Sequence, residues 1–115
     1  MPKKTYIIVR GQFEFCHRYA NAPQEVAYLR NFHRHMFNYE VELEVFHDDR
    51  ELEFIMVKHE IEDYLKDRET NWLGTTSCEQ MADSIGCILR AKYGFDRELS
   101  VSVFEDNENG AKVIM

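Results

Sequence analysis

Apolar and polar side chains alternate along several segments of this chain, and a period of two predicts strands. The clearest case covers residues 33–46, where odd positions are mostly aromatic, aliphatic or histidine and even positions are mostly polar or acidic. Such a strand has one buried face and one wet face, as in an antiparallel sheet. The same pattern predicts strands over residues 5–18 and 99–105. Two further strands, over residues 51–57 and 111–114, are predicted to follow turns at 47–50 and 106–110.

Apolar residues at helical spacing predict two helices in the middle of the chain. The first covers residues 60–68, where Ile61 and Leu65 lie four positions apart. The second follows Thr76 and Ser77, either of which can act as its N-cap, and it ends at residues 93–95. Residues 20–30 are predicted to form a loop with at most one helical turn. The apolar stripe of the second helix consists of Met81, Ala82, Ile85, Ile88 and Leu89.

This order of elements, with runs of strands on either side of two helices, is typical of the α+β class. We therefore predict an antiparallel β-sheet with two helices on one face. The length of 115 residues suits a single domain over residues 1–115, and an apolar fraction of 44% is enough for a hydrophobic core.

The net charge makes some classes of binding partner improbable, and the cysteine content makes a disulfide-rich fold improbable. The net charge of −7 disfavours binding to nucleic-acid phosphates and to anionic membrane surfaces, and no apolar run approaches the length of a transmembrane helix. The cysteine count is odd, with Cys16, Cys78 and Cys87 and no C-x-x-C pair, so a disulfide framework is not expected. A reducing compartment fits this pattern, and we expect a cytoplasmic protein without nucleic-acid or membrane partners.

Three histidines are candidates for a metal site. His33 and His35 form an H-x-H pair on one face of a predicted strand, about 7 Å apart along it. His17 has the core-facing parity of the preceding strand, so antiparallel pairing would bring it opposite the pair. Three imidazoles with an open fourth position are the pattern of catalytic zinc. An H-x-H pair alone also arises by chance, whereas the apolar neighbours of these histidines favour a bound metal. His47 and His59 are expected to be solvated.

Four segments resemble, in order, patterns of the 6-pyruvoyl-tetrahydropterin synthase / 6-carboxy-tetrahydropterin synthase family. Residues 13–18 (FEFCHR) are similar to its F-x-A-A-H-R strand, and residues 31–42 (NFHRHMFNYEVE) to its N-L-H-G-H-N-Y-x-V-E-V segment. Residues 77–82 (SCEQMA) are similar to its T-S/T-E-N-L-A helix start, and residues 101–105 (VSVFE) to its V-x-V-x-E-T strand. The four segments span nearly the whole chain.

The resemblance implies a tunnelling fold (T-fold), in which antiparallel strands of several subunits join into a barrel. It also implies a homotrimer or homohexamer with sites at subunit interfaces. The activity it implies is a zinc-dependent synthase or lyase reaction on a pterin-like molecule such as dihydroneopterin triphosphate, in tetrahydropterin or queuosine biosynthesis. The implied zinc ligands are His17, His33 and His35, Glu105 would anchor the pterin, and Ser77, Cys78 and Glu79 would supply further pterin contacts. Apart from the resemblance, the position of Glu105 favours an ordinary carboxylate at the end of a strand.

The chain departs from the family where the family's proton-transfer residues lie. Leu29 occupies the position of the nucleophilic cysteine, and Met56-Val57-Lys58 replaces the family's M-D-F strand end. The segment 66–74 contains no histidine to match the family's Asp-His pair. Three hypotheses follow: an enzyme with a different base, a ligand-binding protein that has lost the chemistry, and a structural subunit that zinc stabilises.

Few residues of this chain could replace the missing nucleophile. Cys78 begins a predicted helix, where a thiol pKa can fall, so it is either a nucleophile or a small polar replacement for Ser or Thr. Cys16 faces away from the histidines and is expected to be structural, and Cys87 is expected to contribute to packing. His59 and Glu25 lie in the right regions, but no spacing supports a catalytic role for them.

Overall fold

Four antiparallel strands form one sheet in the computed structural model, which describes residues 3–71 and 74–115. The strands are β1 (Thr5–His17), β2 (His33–Val45), β3 (Leu99–Glu105) and β4 (Gly110–Ile114), and they lie side by side in that order. Together with the helices described below, this sheet confirms the α+β class. The predicted bounds of these four strands differ from the observed ones by one residue at most.

The register of β1 on β2 places residues of the same parity opposite one another. Val9 pairs with Val41, Phe13 with Phe37 and His17 with His33. Because side chains alternate between the two faces of a sheet, the odd-numbered residues of both strands share one face. That face is the core side, where Phe37 and Val41 are completely buried.

Two α-helices cover this face of the sheet. α1 (Phe54–Asn71) buries Val57, Ile61 and Leu65, which recur every fourth position, and α2 (Cys78–Tyr93) buries an equivalent stripe. Both stripes belong to the same hydrophobic core as the odd-numbered strand residues. Among the described residues, no helix is long and apolar enough to cross a membrane.

The predicted strand over residues 51–57 is wrong, because α1 already begins at Phe54. The first helix is therefore longer than the predicted 60–68. The Glu53 carboxylate accepts hydrogen bonds from the N–H groups of Ile55 and Met56, at 3.1 and 3.2 Å, and so caps the first turn. Phe54, Ile55 and Met56 are exposed, so the apolar run that suggested a strand is not a buried one.

The caps of α2 are those that the sequence predicts. The Ser77 side chain accepts a hydrogen bond from the Gln80 N–H, and the Gln80 side chain accepts one from the Ser77 N–H, which forms a capping box. At the other end Gly94 has φ +99° and donates its N–H to the carbonyl of Arg90. A positive φ of this size favours glycine, which explains the helix stop.

The segment between β1 and β2 contains more helix than predicted. Residues Gln24–Arg30 form two short 3₁₀ stretches that meet at a kink at Val26, rather than at most one turn. The Arg30 guanidinium donates twice to the carbonyl of Ala22, at 2.9 and 2.7 Å. The Tyr19 N–H donates to the Leu29 carbonyl at 2.8 Å, so Leu29 is held beside the end of β1.

A partly buried ion pair joins the turn after β2 to the segment before β3. The Arg97 guanidinium donates to both carboxylate oxygens of Glu51, at 3.0 and 2.6 Å, and to the main-chain carbonyls of Glu44 and Tyr93. The Glu51 carboxylate also accepts the Phe46 N–H at 2.7 Å. These donors lower the pKa of Glu51 to about 2, with Arg97 as the main cause.

Candidate metal centre and cavity

The three candidate histidines meet at one end of the sheet. His17 lies directly opposite His33 in the β1–β2 register, and His35 lies opposite Phe15, the next core-facing residue. The ring centroids are 4.6 Å apart for His17 and His33, 4.8 Å for His33 and His35, and 5.7 Å for His17 and His35. One nitrogen of each ring lies within 4.8 Å of the other two, so the group could hold a metal ion.

Hydrogen bonds fix the tautomer of each ring. The Nδ1 atoms lie 3.1 Å from the Thr76 carbonyl for His17, 2.9 Å from the Asn31 carbonyl for His33, and 2.6 Å from a carboxylate oxygen for His35. Carbonyl and carboxylate oxygens accept but do not donate, so each Nδ1 carries the hydrogen. A neutral imidazole in this tautomer has its lone pair on Nε2, which is the state that a metal ligand needs.

The Nε2 atom of His17 needs a partner that the described residues do not supply. His17 is 8% exposed, and this nitrogen has no hydrogen bond among them. A Glu105 oxygen lies 3.1 Å away, but not in hydrogen-bonding geometry. A buried polar atom left unpaired costs about 1–3 kcal/mol. A cation among the three Nε2 atoms would satisfy it, so these residues fit a bound metal.

The ring of Phe37 packs against the histidine cluster from the core side. The ring of Phe37 is completely buried and its centroid lies 5.2 Å from that of His17 and 6.1 Å from that of His35. Phe37 belongs to the hydrophobic core, so the histidine cluster borders that core on this side. By contrast, His47 and His59 are exposed, as predicted.

Glu105 lies at the end of β3 and faces the histidines. Its two carboxylate oxygens lie 3.1 Å from His17 Nε2 and 3.8 Å from His35 Nε2. The strand register explains this position, because Glu105 pairs with Phe37, which is two residues from His35 on the same face of β2. The carboxylate is therefore near the candidate metal position as well as the neighbouring cavity.

Asp106 is a site residue that the sequence analysis missed. It follows Glu105 in the turn before β4, and its carboxylate accepts from His35 Nδ1 at 2.6 Å and from the Met36 N–H at 3.1 Å. These two hydrogen bonds, the one from His35 first, lower the pKa of Asp106. Only its place directly after Glu105 could have drawn attention to it, since the sequence pattern of residues 106–110 is that of an ordinary turn.

A cavity of about 570 Å³ opens beside His17 and His33. The residues that line it come from the end of β1, the end of the 3₁₀ segment, the start of α2 and the end of β3. Leu29, which the resemblance aligns with the family's cysteine, lines this cavity together with His17 and His33. The cavity also includes every pterin-contact residue that the resemblance implies, namely Ser77, Cys78, Glu79 and Glu105.

Cys78 does not have the low pKa that its helix-start position suggested. Burial raises the pKa of this thiol to about 11, and the negative charges of Glu105 and Glu79 act in the same direction. The thiol is therefore protonated near neutral pH. Cys16 is exposed on the polar face of the sheet, whereas the prediction that Cys87 packs in the core is wrong, because it is exposed on α2.

No protein-family model matches this chain, and no curated protein matches it. The fold and the site define an α+β protein with a three-histidine cluster that could hold a metal ion, next to a cavity with two carboxylates. The segment 66–74, where the resemblance leads one to look for an Asp-His pair, is only partly covered, because residues 72 and 73 lie outside the described residues.

Proposed function

We propose that this chain binds zinc through His17, His33 and His35 and is a divergent member of the 6-pyruvoyl-tetrahydropterin synthase / 6-carboxy-tetrahydropterin synthase family. The observation that carries the proposal is that each Nδ1 is held by an acceptor, which leaves Nε2 of each ring as a free ligand atom, in a cluster where one nitrogen of each ring lies within 4.8 Å of the other two. Three imidazole ligands with an open position are typical of zinc. The four sequence segments that resemble the family support its identity.

The ligand that fits the cavity is a flat, pterin-like heterocycle. A volume of about 570 Å³ lies within the usual range for small-molecule sites, roughly 300–1,000 Å³. Pterins present adjacent N–H donors at one edge, and a carboxylate pairs with two such donors through charge-assisted hydrogen bonds. Glu105 and Glu79 both line the cavity, and Glu105 is the proposed anchor because it also borders the metal position.

The site favours ligand binding without the catalysis that is usual in the family. Leu29 cannot transfer a proton, and Cys78 is a buried thiol whose pKa is raised to about 11. Bound zinc would polarise a carbonyl or hydroxyl group of the ligand. Synthase or lyase turnover is therefore the second candidate, supported by the position of the cavity directly beside His17 and His33.

The T-fold barrel is part of the same proposal. Within the described residues, β1 and β4 each pair with one neighbouring strand, so each leaves one edge for another chain. We propose a homotrimer or homohexamer in which these edges join. Light scattering coupled to size-exclusion chromatography would give the mass as a multiple of 13.7 kDa, and a monomer would contradict this part.

Metal content tests the zinc site directly. We expect purified protein to carry zinc, His33→Ala to lose it, and Leu29→Cys to retain it, because Leu29 lines the cavity without being a ligand. Elemental analysis by mass spectrometry gives the ratio of zinc to protein. Full zinc content in the His33→Ala protein would show that the site assignment is wrong.

Ligand binding tests the role of Glu105. Loss of a charged hydrogen bond costs about 1.5–3 kcal/mol, so Glu105→Gln should weaken neopterin binding about 10- to 150-fold in calorimetric titration. Glu108→Gln is the matched control, because Glu108 is an exposed carboxylate in the turn that follows Glu105. Equal affinities for the two variants would remove Glu105 from the ligand site. Turnover of dihydroneopterin triphosphate by the zinc-loaded protein would favour the enzyme over the binding protein.

A further inference from the structure

We propose that Asp106 is a positioning residue of the metal centre, which orients the His35 ring and holds its Nε2 towards His17 and His33. This inference rests on the proposed zinc site and adds a residue to it. The supporting observation is the 2.6 Å contact between Asp106 Oδ2 and His35 Nδ1. A carboxylate behind a metal-binding histidine fixes the ring and increases the basicity of its other nitrogen.

Asp106 is attached to β2 by three hydrogen bonds. One carboxylate oxygen accepts from His35 Nδ1, and the other accepts from the Met36 N–H at 3.1 Å. The main-chain N–H of Asp106 donates to the Met36 carbonyl at 2.7 Å. Because both oxygens and the backbone are engaged, the carboxylate has little freedom to rotate, and the His35 ring is held with it.

Asp106 differs from the groups that hold the other two rings. His17 and His33 donate from Nδ1 to main-chain carbonyls, of Thr76 and Asn31 respectively. His35 alone among the three donates to a charged side chain. Charge-assisted hydrogen bonds are shorter and roughly twice as strong as neutral ones, so His35 should be the most strongly oriented of the three ligands.

The turn places this carboxylate through an uncommon backbone conformation. Asp106 and Asn107 have φ values of +52° and +58°, in the left-handed region. Aspartate and asparagine adopt that region more readily than most residues, and glycine adopts it without cost. Asp106→Asn and Asp106→Gly should therefore both keep the turn. The first removes only the charge, and the second removes the whole side chain.

Zinc affinity tests the proposal in three variants. We expect Asp106→Gly to weaken zinc binding about 10- to 100-fold in competition with a chromophoric chelator, with a smaller loss for Asp106→Asn. Asn107→Gly is the matched control, since it changes the same turn at a residue that makes no hydrogen bond to His35 among the described residues, and its zinc affinity should equal that of the unaltered chain. Unchanged affinity in Asp106→Gly, or an equal loss in Asn107→Gly, would overturn the proposal.

Nitrogen NMR of the metal-free protein gives a second readout that a merely structural role would not move. The ring shifts of His35 should report hydrogen on Nδ1 in the unaltered chain and in Asn107→Gly, and a shift towards hydrogen on Nε2 in Asp106→Gly. A His35 ring with the same tautomer in all proteins would refute the positioning role. If the unaltered chain takes up no zinc but the tautomer changes as expected, the zinc function fails while orientation of His35 by Asp106 is supported.

Discussion

Replacement of Glu51 by Gln tests the ion pair that joins β2 to β3. The substitution keeps the size of the side chain and removes its charge. Glu51 accepts three hydrogen bonds, two from the Arg97 guanidinium at 3.0 and 2.6 Å and one from the Phe46 N–H at 2.7 Å. A glutamine amide can accept through only one of its two terminal atoms, so at least one of these donors loses its partner.

The size of the effect follows from the lowered pKa. A carboxyl pKa that falls from 4.5 to about 2 corresponds to at most about 3 kcal/mol of folding free energy. The Glu51 side chain is 21% exposed, so solvent screening reduces this figure. Hydrogen bonds to charged groups contribute about 1.5–3 kcal/mol. We expect Glu51→Gln to lower the free energy of unfolding by about 2 kcal/mol at neutral pH.

The same pair predicts a dependence on pH with a defined sign. Because the pKa of Glu51 is lower in the folded state, its stabilisation is complete above about pH 4.5 and is lost as the pH falls towards 2. Urea unfolding at neutral and at acidic pH gives the free energy of unfolding of each protein. Acidification should lower this free energy less in Glu51→Gln than in the unaltered chain. Glu60→Gln is the control, since the exposed pair of Glu60 with Lys92 should contribute no more than about 1 kcal/mol. Equal acid sensitivity of Glu51→Gln and the unaltered chain would refute the reasoning.

Two further predictions concern buried polar groups in the core and the cavity. Tyr39 is 2% exposed and its hydroxyl has no hydrogen-bond partner among the described residues, so Tyr39→Phe should raise the free energy of unfolding by about 1 kcal/mol in urea titration. A loss of stability would show that the hydroxyl has a partner in solution. Cys78 should react with iodoacetamide far more slowly at pH 8 than the exposed Cys16 and Cys87, because burial raises its pKa to about 11. Peptide mass spectrometry that finds Cys78 labelled first would contradict this environment.

Leu29 gives the cavity an apolar wall beside the end of β1. Leu29 lines the cavity from the 3₁₀ helix, and its carbonyl accepts from the Tyr19 N–H, so this helix stays close to the end of β1. An apolar side chain here leaves the carboxylates of Glu79 and Glu105 as the acidic groups that line the cavity. The lining at this point therefore combines an apolar side chain with two carboxylates.

The sequence predicted α2 and the four strands well because their local patterns agree with their tertiary contacts. Ser77 caps α2 through the predicted interaction, and the odd-numbered residues of β2 are the buried ones, as the alternation indicates. The prediction for residues 51–57 was wrong because Glu53 is not among the usual N-cap residues, so no N-cap signal in the sequence marked the start of α1. Val57, Ile61 and Leu65 at intervals of four were the better guide to a helix.

The alternation of side chains by itself determined that His17, His33 and His35 lie on core-facing positions, because a period of two assigns each residue to a face. It did not determine which residues stand opposite one another, since every shift of two residues preserves the faces. Only the folded sheet decided that His17 pairs with His33 and that Glu105 lies beside Phe37. Asp106, 71 residues away from His35 along the chain, reaches it solely through the β2–β3 register, which no local pattern encodes.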